Sequence, residues 1–184
     1  MTELALPKID KDTISRKDQI VSHLKKFTKD ENILSENEEI KPYETDGLAA
    51  YKQTPLAVVL PENTKEVSEI LKFCNEENIK VIPRGAGTGL SGGALPLQDA
   101  ILLGLGKFNK ILEIDFENKC VVTQPGVTNL GITHAVQHKG YYYAPDPSSQ
   151  LACSIGGNVA ENSGGVHSLK SVSYTHLTLP TILL

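Results

Sequence analysis

The stretch Pro83-Arg84-Gly85-Ala86-Gly87-Thr88-Gly89-Leu90-Ser91-Gly92-Gly93 has five glycines among its eleven residues. It follows the largely apolar run Ile79-Lys80-Val81-Ile82, which predicts a short strand. Glycine costs about 0.5–1 kcal/mol relative to alanine in regular structure, so a cluster this dense needs a reason in the backbone. Consecutive N–H groups in such a turn form a concave anion site. The stretch, called the glycine loop below, therefore predicts a phosphate-binding loop, and the alternative is a structural turn that holds no ligand.

A strand, a helix and a second strand precede the glycine loop. Residues 56–60 form a continuous apolar run between two prolines, which predicts a buried strand. Asn63 with Glu66 has the spacing of a capping box and predicts the start of a helix. The buried face of that helix is predicted to contain Val67, Ile70, Leu71 and Cys74. A helix between strands 56–60 and 80–82 makes a βαβ unit, whose two strands are parallel.

Residues outside this unit predict shorter elements. Residues 1–14 are expected to be a mobile leader, residues 15–27 an amphipathic helix and residues 29–39 a solvated loop. Residues 100–103 predict a third strand, and residues 111–115 with 120–124 predict an antiparallel hairpin. Thr128 predicts the start of a helix that ends at Gly140, and residues 141–143 are expected to alternate in a strand. The predicted class is α+β, with a small βαβ lobe followed by a mixed or antiparallel β lobe with helices.

A second region rich in glycine and proline spans residues 144–149, 155–158 and 162–167. Two long loops of this kind in one compact domain indicate function. Since one follows each predicted lobe, we expect an extended ligand between the lobes.

The glycine loop also matches two nucleotide motifs in part. Gly87-x-Gly89-x-x-Gly92 is a dinucleotide fingerprint, but that motif needs a helix opening at its third glycine. Gly93, Pro96 and the strand predicted from residue 100 leave no room for one. The phosphate-binding loop of nucleoside triphosphatases is also disfavoured, because no Gly-Lys-Ser/Thr follows the glycines.

Composition excludes several classes of protein. A formal net charge of −4 argues against a nucleic-acid surface. Three cysteines without C-x-x-C spacing fit a reducing compartment rather than a disulfide framework. The sequence shows no signal peptide with an apolar segment and no run of eighteen apolar residues, so the expected location is the cytoplasm. A metal pair at His134 and His138 is disfavoured, because the H-E-x-x-H pattern is absent and exposed helix histidines explain them better.

Four ordered motifs carry a resemblance to a known family. They are residues 83–93, 124–127, 143–149 and 155–165, together with lead-in residues 43–47 and 55–61. They resemble the FAD-binding (PCMH-type) domain of the vanillyl-alcohol oxidase/p-cresol methylhydroxylase family. Within that family they are similar to glycolate oxidase D subunits and to FAD-linked D-lactate and other D-2-hydroxy-acid dehydrogenases. The resemblance covers about residues 43–170, with lobes of about 43–105 and 106–170, after an N-terminal leader and helix at 1–42.

The resemblance implies FAD as cofactor and assigns residues to it. The implied cofactor-binding residues are Arg84, Gly85, Ala86, Gly87, Thr88, Gly89, Ser91, Pro147, Ser148, Ser149, Gly156, Gly157, Asn158, Asn162 and Gly164. Family members that bind flavin covalently place a histidine in the first loop, and none stands at 83–93, so non-covalent FAD is expected. His167 is a further candidate for the flavin edge, although a loop residue satisfied by backbone is the simpler interpretation. Asp146, between two prolines, is expected to orient a neighbouring loop or to touch FAD.

The implied function is oxidation of a 2-hydroxy acid by hydride transfer to flavin. The catalytic base, the substrate-binding arginine and the metal ligands of the family lie in a later domain, so no catalytic or metal residue is assigned here and the fragment alone is expected to be inactive. Residues 171–184 do not resemble the family's continuation and are expected to be an artefactual tail similar to a translated adapter. A non-catalytic flavin-binding or assembly subunit and a nicotinamide-dependent dehydrogenase domain remain alternatives. Expected partners are the 2-hydroxy acid and companion oxidase subunits, without nucleic acid or a transmembrane segment.

Overall fold

A four-stranded sheet forms the centre of the computed structural model, which describes residues 7–167. Its strands are β1 (Ile33–Leu34), β2 (Ala57–Val59), β3 (Lys80–Arg84) and β4 (Ala100–Gly104). The strand order is β1, β2, β4, β3, and β4 is parallel to both β2 and β3. The predicted parallel βαβ unit is therefore confirmed. The later strand β4 lies between the two strands that the unit joins.

Six α-helices occur within residues 7–167. They are α1 (Lys11–Ser15), α2 (Lys17–Leu24), α3 (Asn37–Ile40), α4 (Thr64–Glu76), α5 (Asn129–Val136) and α6 (Ile155–Ala160). Helix α4 begins at the predicted cap, because Asn63 Oδ1 accepts the N–H of Glu66 at 3.0 Å. The Glu66 carboxylate accepts the N–H of Glu62 at 2.9 Å rather than that of Asn63, so the second half of the capping box is shifted by one residue.

The main hydrophobic core joins helix α4 to the sheet. Ile70, Phe73 and Cys74 of this helix are buried in it. The prediction was right for Ile70 and Cys74 and wrong for Leu71, which is 43% exposed. The helix is rotated so that Phe73, at i+3 from Ile70, takes the inward position instead.

Both faces of the sheet are covered. A second cluster of Ile40, Val58 and Leu102 packs on the face opposite to the main core. Since side chains alternate along a strand, two buried faces explain why the strands are continuous apolar runs. Strand β4 is buried along its whole length, so it fixes the neighbouring β3, whose carboxyl end leads into the glycine loop.

The second half of the described chain starts with a hairpin. Strands β5 (Ile111–Asp115) and β6 (Cys120–Thr123) are antiparallel, as predicted. Thr128 Oγ1 accepts the N–H of Gly131 at 3.1 Å and begins helix α5, also as predicted. Gly140 has a φ of +77° and ends the 3₁₀ turn Gln137–Lys139 that follows this helix.

Four expectations about local structure are wrong. Residues 29–39 are a 3₁₀ turn, strand β1 and most of helix α3 rather than a solvated loop, and Ile33 is buried. The end of the expected mobile leader belongs to helix α1, with Thr13 buried. Residues 141–143 form no strand. Residues 155–160 form helix α6, although the second glycine-rich region was expected to be a long loop.

The division into 1–42, 43–170 and 171–184 stays a prediction, and the tail at 171–184 lies outside the described residues. No helix within residues 7–167 is long and apolar enough to cross a bilayer.

Candidate functional site: a cavity between two glycine-rich segments

A cavity of about 550 Å³ lies between the glycine loop and the second glycine-rich region. Thirteen of the fifteen predicted cofactor-binding residues line it: Arg84, Gly85, Ala86, Gly87, Thr88, Gly89, Ser91, Pro147, Ser148, Ser149, Gly156, Gly157 and Asn158. The other two, Asn162 and Gly164, are not among the lining residues. The fold therefore brings together two segments that are far apart in the sequence.

The glycine loop presents unpaired backbone donors. Within residues 7–167, none of the N–H groups from Ala86 to Ala94 has a hydrogen-bond acceptor. Residues 85–99 contain no helix, so the helix that the dinucleotide fingerprint requires is missing here. Gly87 and Gly92 have φ of +71° and +78°, which L side chains rarely adopt. This open, left-handed backbone with free N–H groups is the arrangement that binds an oxyanion.

Arg84 anchors the start of the glycine loop. Its backbone oxygen accepts the N–H of Leu105 at 2.9 Å, which ties the end of β3 to the chain leaving β4. Its Nη1 donates to the Thr45 backbone oxygen at 2.7 Å, and its Cζ lies 5.7 Å from the Tyr43 ring centroid. Burial lowers the pKa of Arg84, and the nearby Asp46 opposes that effect, so the guanidinium keeps its charge.

Helix α6 forms the opposite wall of the cavity. The N–H groups of Ile155 and Gly156 donate to the Val127 and Pro125 oxygens, each at 2.8 Å. A Cβ at Gly156 would lie 2.7 Å from Pro125 Cβ, so only glycine permits this approach. Tertiary hydrogen bonds thus stabilise a helix whose glycine-rich sequence does not favour one.

The two walls meet where Gly85 faces Ser154. A Cβ on Gly85 would overlap the Ser154 hydroxyl, so the glycine allows the walls to touch. Ser154 Oγ and Asn158 Nδ2 are buried polar atoms without a hydrogen-bond partner in the described part of the chain. Such atoms are costly unless a ligand or water satisfies them. Both belong to residues that line the cavity, which indicates that its natural contents are polar at this point.

Sequence reasoning missed some lining residues. Ser154, Pro125, Leu105 and Glu161 line the cavity but were not predicted as binding residues. Pro125 stands in a motif that carried the resemblance, so it could have been assigned. Ser154 precedes the Gly156-Gly157 pair directly and could have been included with it. Glu161 also stands in one of those motifs, residues 155–165, and could have been assigned. Leu105 lies in none of them, and only the tertiary fold places it at the cavity.

Asp146 connects the two halves of the second glycine-rich region. Its N–H donates to the Gly164 oxygen at 3.1 Å, and its carboxylate lies 2.8 Å from His167 Nδ1. His167 does not line the cavity, and its side chain is 52% exposed. The structure thus places Asp146 in a role that orients a neighbouring loop, one of the two roles expected for it.

The two histidines weighed as a metal pair do not line the cavity. His134 and His138 are exposed. Within residues 7–167, no cluster of three histidine, cysteine or acidic side chains is arranged to hold a metal ion. Cys153 is buried at the cavity wall, as a small apolar residue would be.

The cavity fits FAD, the cofactor that the resemblance implies. The free N–H groups at 86–94 suit the two negatively charged phosphates of this cofactor. Ser154 and Asn158 offer polar groups that have no protein partner among the described residues. Glycines at 85, 87 and 156 remove the side chains that would otherwise fill the space or push its walls apart.

Comparison with known proteins agrees with this fit. The sequence profile of the FAD binding domain family matches residues 55–179. Glycolate oxidase subunit GlcD of Escherichia coli (strain K12) is 51% identical over 166 residues, which are 90% of this chain and 32% of that protein. D-lactate dehydrogenase of Anaerostipes hadrus is 41% identical over 126 residues, 68% of this chain and 26% of that protein.

A solved structure shares the fold. The crystal structure of p-cresol methylhydroxylase with substrate bound has a TM-score of 0.66 and 25% identity, covering 79% of this chain and 29% of that one. The chain thus spans about a third of the length of the curated relatives it matches. The cavity, its free N–H groups and the family match over residues 55–179 lead to one conclusion: this chain belongs to the FAD binding domain family, and FAD is its cofactor.

Proposed function

We propose that this chain is the FAD-binding part of a flavin-dependent oxidoreductase that oxidises a 2-hydroxy acid of the glycolate or D-lactate type. The single observation that carries the proposal is the cavity between residues 83–94 and 147–163, with its row of unpaired N–H groups. The substrate class rests on the names of the relatives, glycolate oxidase and D-lactate dehydrogenase. The substrate, companion oxidase subunits and a cytoplasmic location belong to the same proposal.

Each wall of the cavity has its own part in this function. The N–H groups of Gly85, Ala86, Gly87, Thr88 and Gly89 would hold the diphosphate, each bond to a charged oxygen contributing about 1.5–3 kcal/mol. Ser154 Oγ would donate to or accept from polar groups of the same cofactor, and Asn158 Nδ2 would donate to them. Pro147, Ser148 and Ser149 would close the flavin side.

The chemistry of the whole enzyme needs more than this chain. FAD, when bound, supplies the acceptor for the two electrons and the hydrogen removed from the hydroxyl-bearing carbon. The chain's residues bind and orient the cofactor and keep water from part of its surface. No base for the substrate hydroxyl is assigned to this chain, so we expect FAD binding without turnover of glycolate or D-lactate.

Retention of FAD tests the proposal. The chain would be purified with added FAD and desalted, and its visible absorption spectrum recorded. We expect a yellow protein with a flavin spectrum, whereas a nicotinamide cofactor would give none. A folded, colourless chain would contradict the cofactor site as it applies to this chain.

Acid precipitation tests the mode of attachment. The glycine loop has no histidine, so we propose that FAD is held without a covalent bond. Denaturing the yellow protein with acid is expected to leave all flavin in the supernatant and none in the pellet. Flavin that stays with the precipitated protein would contradict non-covalent binding.

A further inference from the structure

The glycine loop is backed by a segment that does not line the cavity. This backing segment, residues 43–48, contains Tyr43, Thr45, Asp46 and Gly47. A Cβ on Gly47 would lie 2.6 Å from the Thr88 oxygen and 2.7 Å from the Gly89 oxygen. The two peptide carbonyls therefore point at the backing segment from very short range.

The direction of these carbonyls fixes the direction of the neighbouring N–H groups. In a planar trans peptide the C=O and the N–H point to opposite sides. The N–H groups of Gly89 and Leu90 consequently point away from Gly47. Since the backing segment lies outside the cavity, its contact turns these donors toward the side of the loop that lines the cavity.

Arg84 connects the backing segment to both ends of the glycine loop. Its Nη1 donates to the Thr45 oxygen at 2.7 Å and lies 3.5 Å from the Ala94 oxygen. The turn at Gly87 folds directly over the guanidinium, because a Cβ there would overlap it. The loop is therefore wrapped around its own arginine.

The polar groups around Arg84 explain why it stays in place. Asp46 is only 6% exposed, and its Oδ2 has no hydrogen bond within residues 7–167. Asp46 and Arg84 attract each other, and the Tyr43 ring faces the guanidinium. A planar guanidinium can face a ring and reach two carbonyls at once, which a lysine ammonium cannot do with the same geometry.

We propose that Arg84 and Gly47 are positioning residues for FAD: they hold the glycine loop in the conformation that presents its N–H groups, and Arg84 acts through the loop rather than on the phosphates. The inference rests on the proposed FAD site. It assigns residues 43–48 a part in cofactor binding although they do not touch the cavity. The loop is then preorganised before FAD arrives, which lowers the entropy cost of binding.

Limited proteolysis tests the loop without any cofactor. Thermolysin cleaves before large apolar residues, and Leu90 in the loop is 71% exposed. Leu151, 81% exposed in the other glycine-rich region, serves as the internal reference. We expect Gly47→Ala and Arg84→Lys each to raise the rate of cleavage before Leu90 by about tenfold, the first because its Cβ would push the Thr88 and Gly89 carbonyls away, the second because it loses the geometry of a charged hydrogen bond. The rate before Leu151 is expected to stay unchanged.

Matched variants separate the contacts that Gly47 and Arg84 make with the glycine loop, called the clamp below, from general destabilisation. Gly106→Ala is the control for Gly47→Ala, because a Cβ at Gly106 meets nothing within 4 Å. Equal acceleration at Leu90 and Leu151 would show general destabilisation and overturn the proposal. Cleavage before Leu90 at the wild-type rate in both variants would also overturn it.

The dissociation constant for FAD is the second measurement. We expect Gly47→Ala and Arg84→Lys to weaken binding by about tenfold, with visible spectra of the bound flavin unchanged. If Arg84→Lys had the wild-type affinity for FAD and Arg84→Met a low one, the charge alone would matter. That result would overturn the positioning role. A wild-type chain that retains no FAD would contradict the proposed function instead, and the proteolysis result would still decide the clamp.

Discussion

Gly87 is the residue at which the conformation of the glycine loop is most tightly constrained. Its φ of +71° disfavours any side chain, and its missing Cβ leaves room for the Arg84 guanidinium. Gly140 has nearly the same φ, +77°, but open space around it. Replacing either glycine therefore costs about 1–2 kcal/mol in backbone conformation. Only at Gly87 does an added side chain also clash with a neighbouring group.

This contrast gives a prediction at the residue scale. Gly87→Ala is expected to weaken FAD binding by at least about tenfold, and Gly87→Val to abolish retention, because the added atoms displace Arg84. Gly140→Ala carries only the backbone cost, so it is expected to lower the melting temperature but to retain FAD. Titration of the flavin signal and thermal unfolding are the measurements. Equal FAD retention by the two alanine variants would contradict the role given to Gly87.

Single residues also show how far sequence reasoning reaches. Thirteen of the fifteen residues that the resemblance assigned to FAD line the cavity, and that resemblance was recognised from short local motifs. Asn162 and Gly164 fall outside the cavity, and Ser154 and Leu105 were missed. Ser154 could have been included with the neighbouring glycine pair, but whether the other three positions face the cavity depends on how distant segments meet, which no local pattern reports.

At the scale of elements, the start of β3 and the start of β4 are joined to the N-terminal segment by one carboxylate. Asp99, 2% exposed, accepts hydrogen bonds from Lys80 Nζ and from the Asp10 N–H, both at 2.7 Å. Burial acts to raise the pKa of Asp99, but these hydrogen bonds and the Lys80 charge outweigh it and lower the pKa from 3.8. Folding therefore favours the ionised, carboxylate form of Asp99.

The lowered pKa predicts the direction of a pH effect. A carboxyl whose pKa is lower in the folded state stabilises the fold above its unfolded pKa, near 3.8. That stability is lost as the pH falls through the lower, folded value. Asp99→Asn is expected to be less stable than wild type near pH 7, with the difference shrinking below about pH 4. Urea unfolding across this range is the measurement, and a constant difference would contradict the assignment.

Elements were predicted well where a periodic pattern is long. Helix α4 and strands β2 to β6 appear where apolar runs and turn signals placed them. Strand β1 and helix α3 were missed, because two and four residues are too short to show a period. Helix α6 was missed because glycine opposes helix formation, and contacts with Pro125 and Val127 override that preference.

The fold of the whole molecule is expected to shield two of its three cysteine thiols from reagents in solution. Cys74 and Cys153 are buried, while Cys120 is exposed at the start of β6. Burial raises the pKa of Cys74 to about 11, which further suppresses its thiolate. The folded chain is expected to react with one equivalent of Ellman's reagent and the unfolded chain with three, one for each cysteine.

A variant makes this thiol count specific. Cys120→Ser is expected to leave no rapidly reacting thiol in the folded chain. Rapid reaction of two or more thiols in wild type would show that the core around Cys74 or the cavity wall at Cys153 is open. The count therefore reports whether the chain adopts the described fold before any cofactor is added.

The order in which the cavity walls occur along the chain has a consequence during synthesis. The sheet and the glycine loop are complete by residue 104, whereas the opposite wall, helix α6, ends only at Ala160. A nascent chain emerges from the ribosome N-terminus first, so it holds one wall of the site long before the other. FAD can be enclosed only after helix α6 has emerged and bonded to Pro125 and Val127. Enclosure of the flavin is thus a late step in the synthesis of this domain. Until helix α6 emerges, the glycine loop of the nascent chain is exposed and lacks the opposite wall of the site.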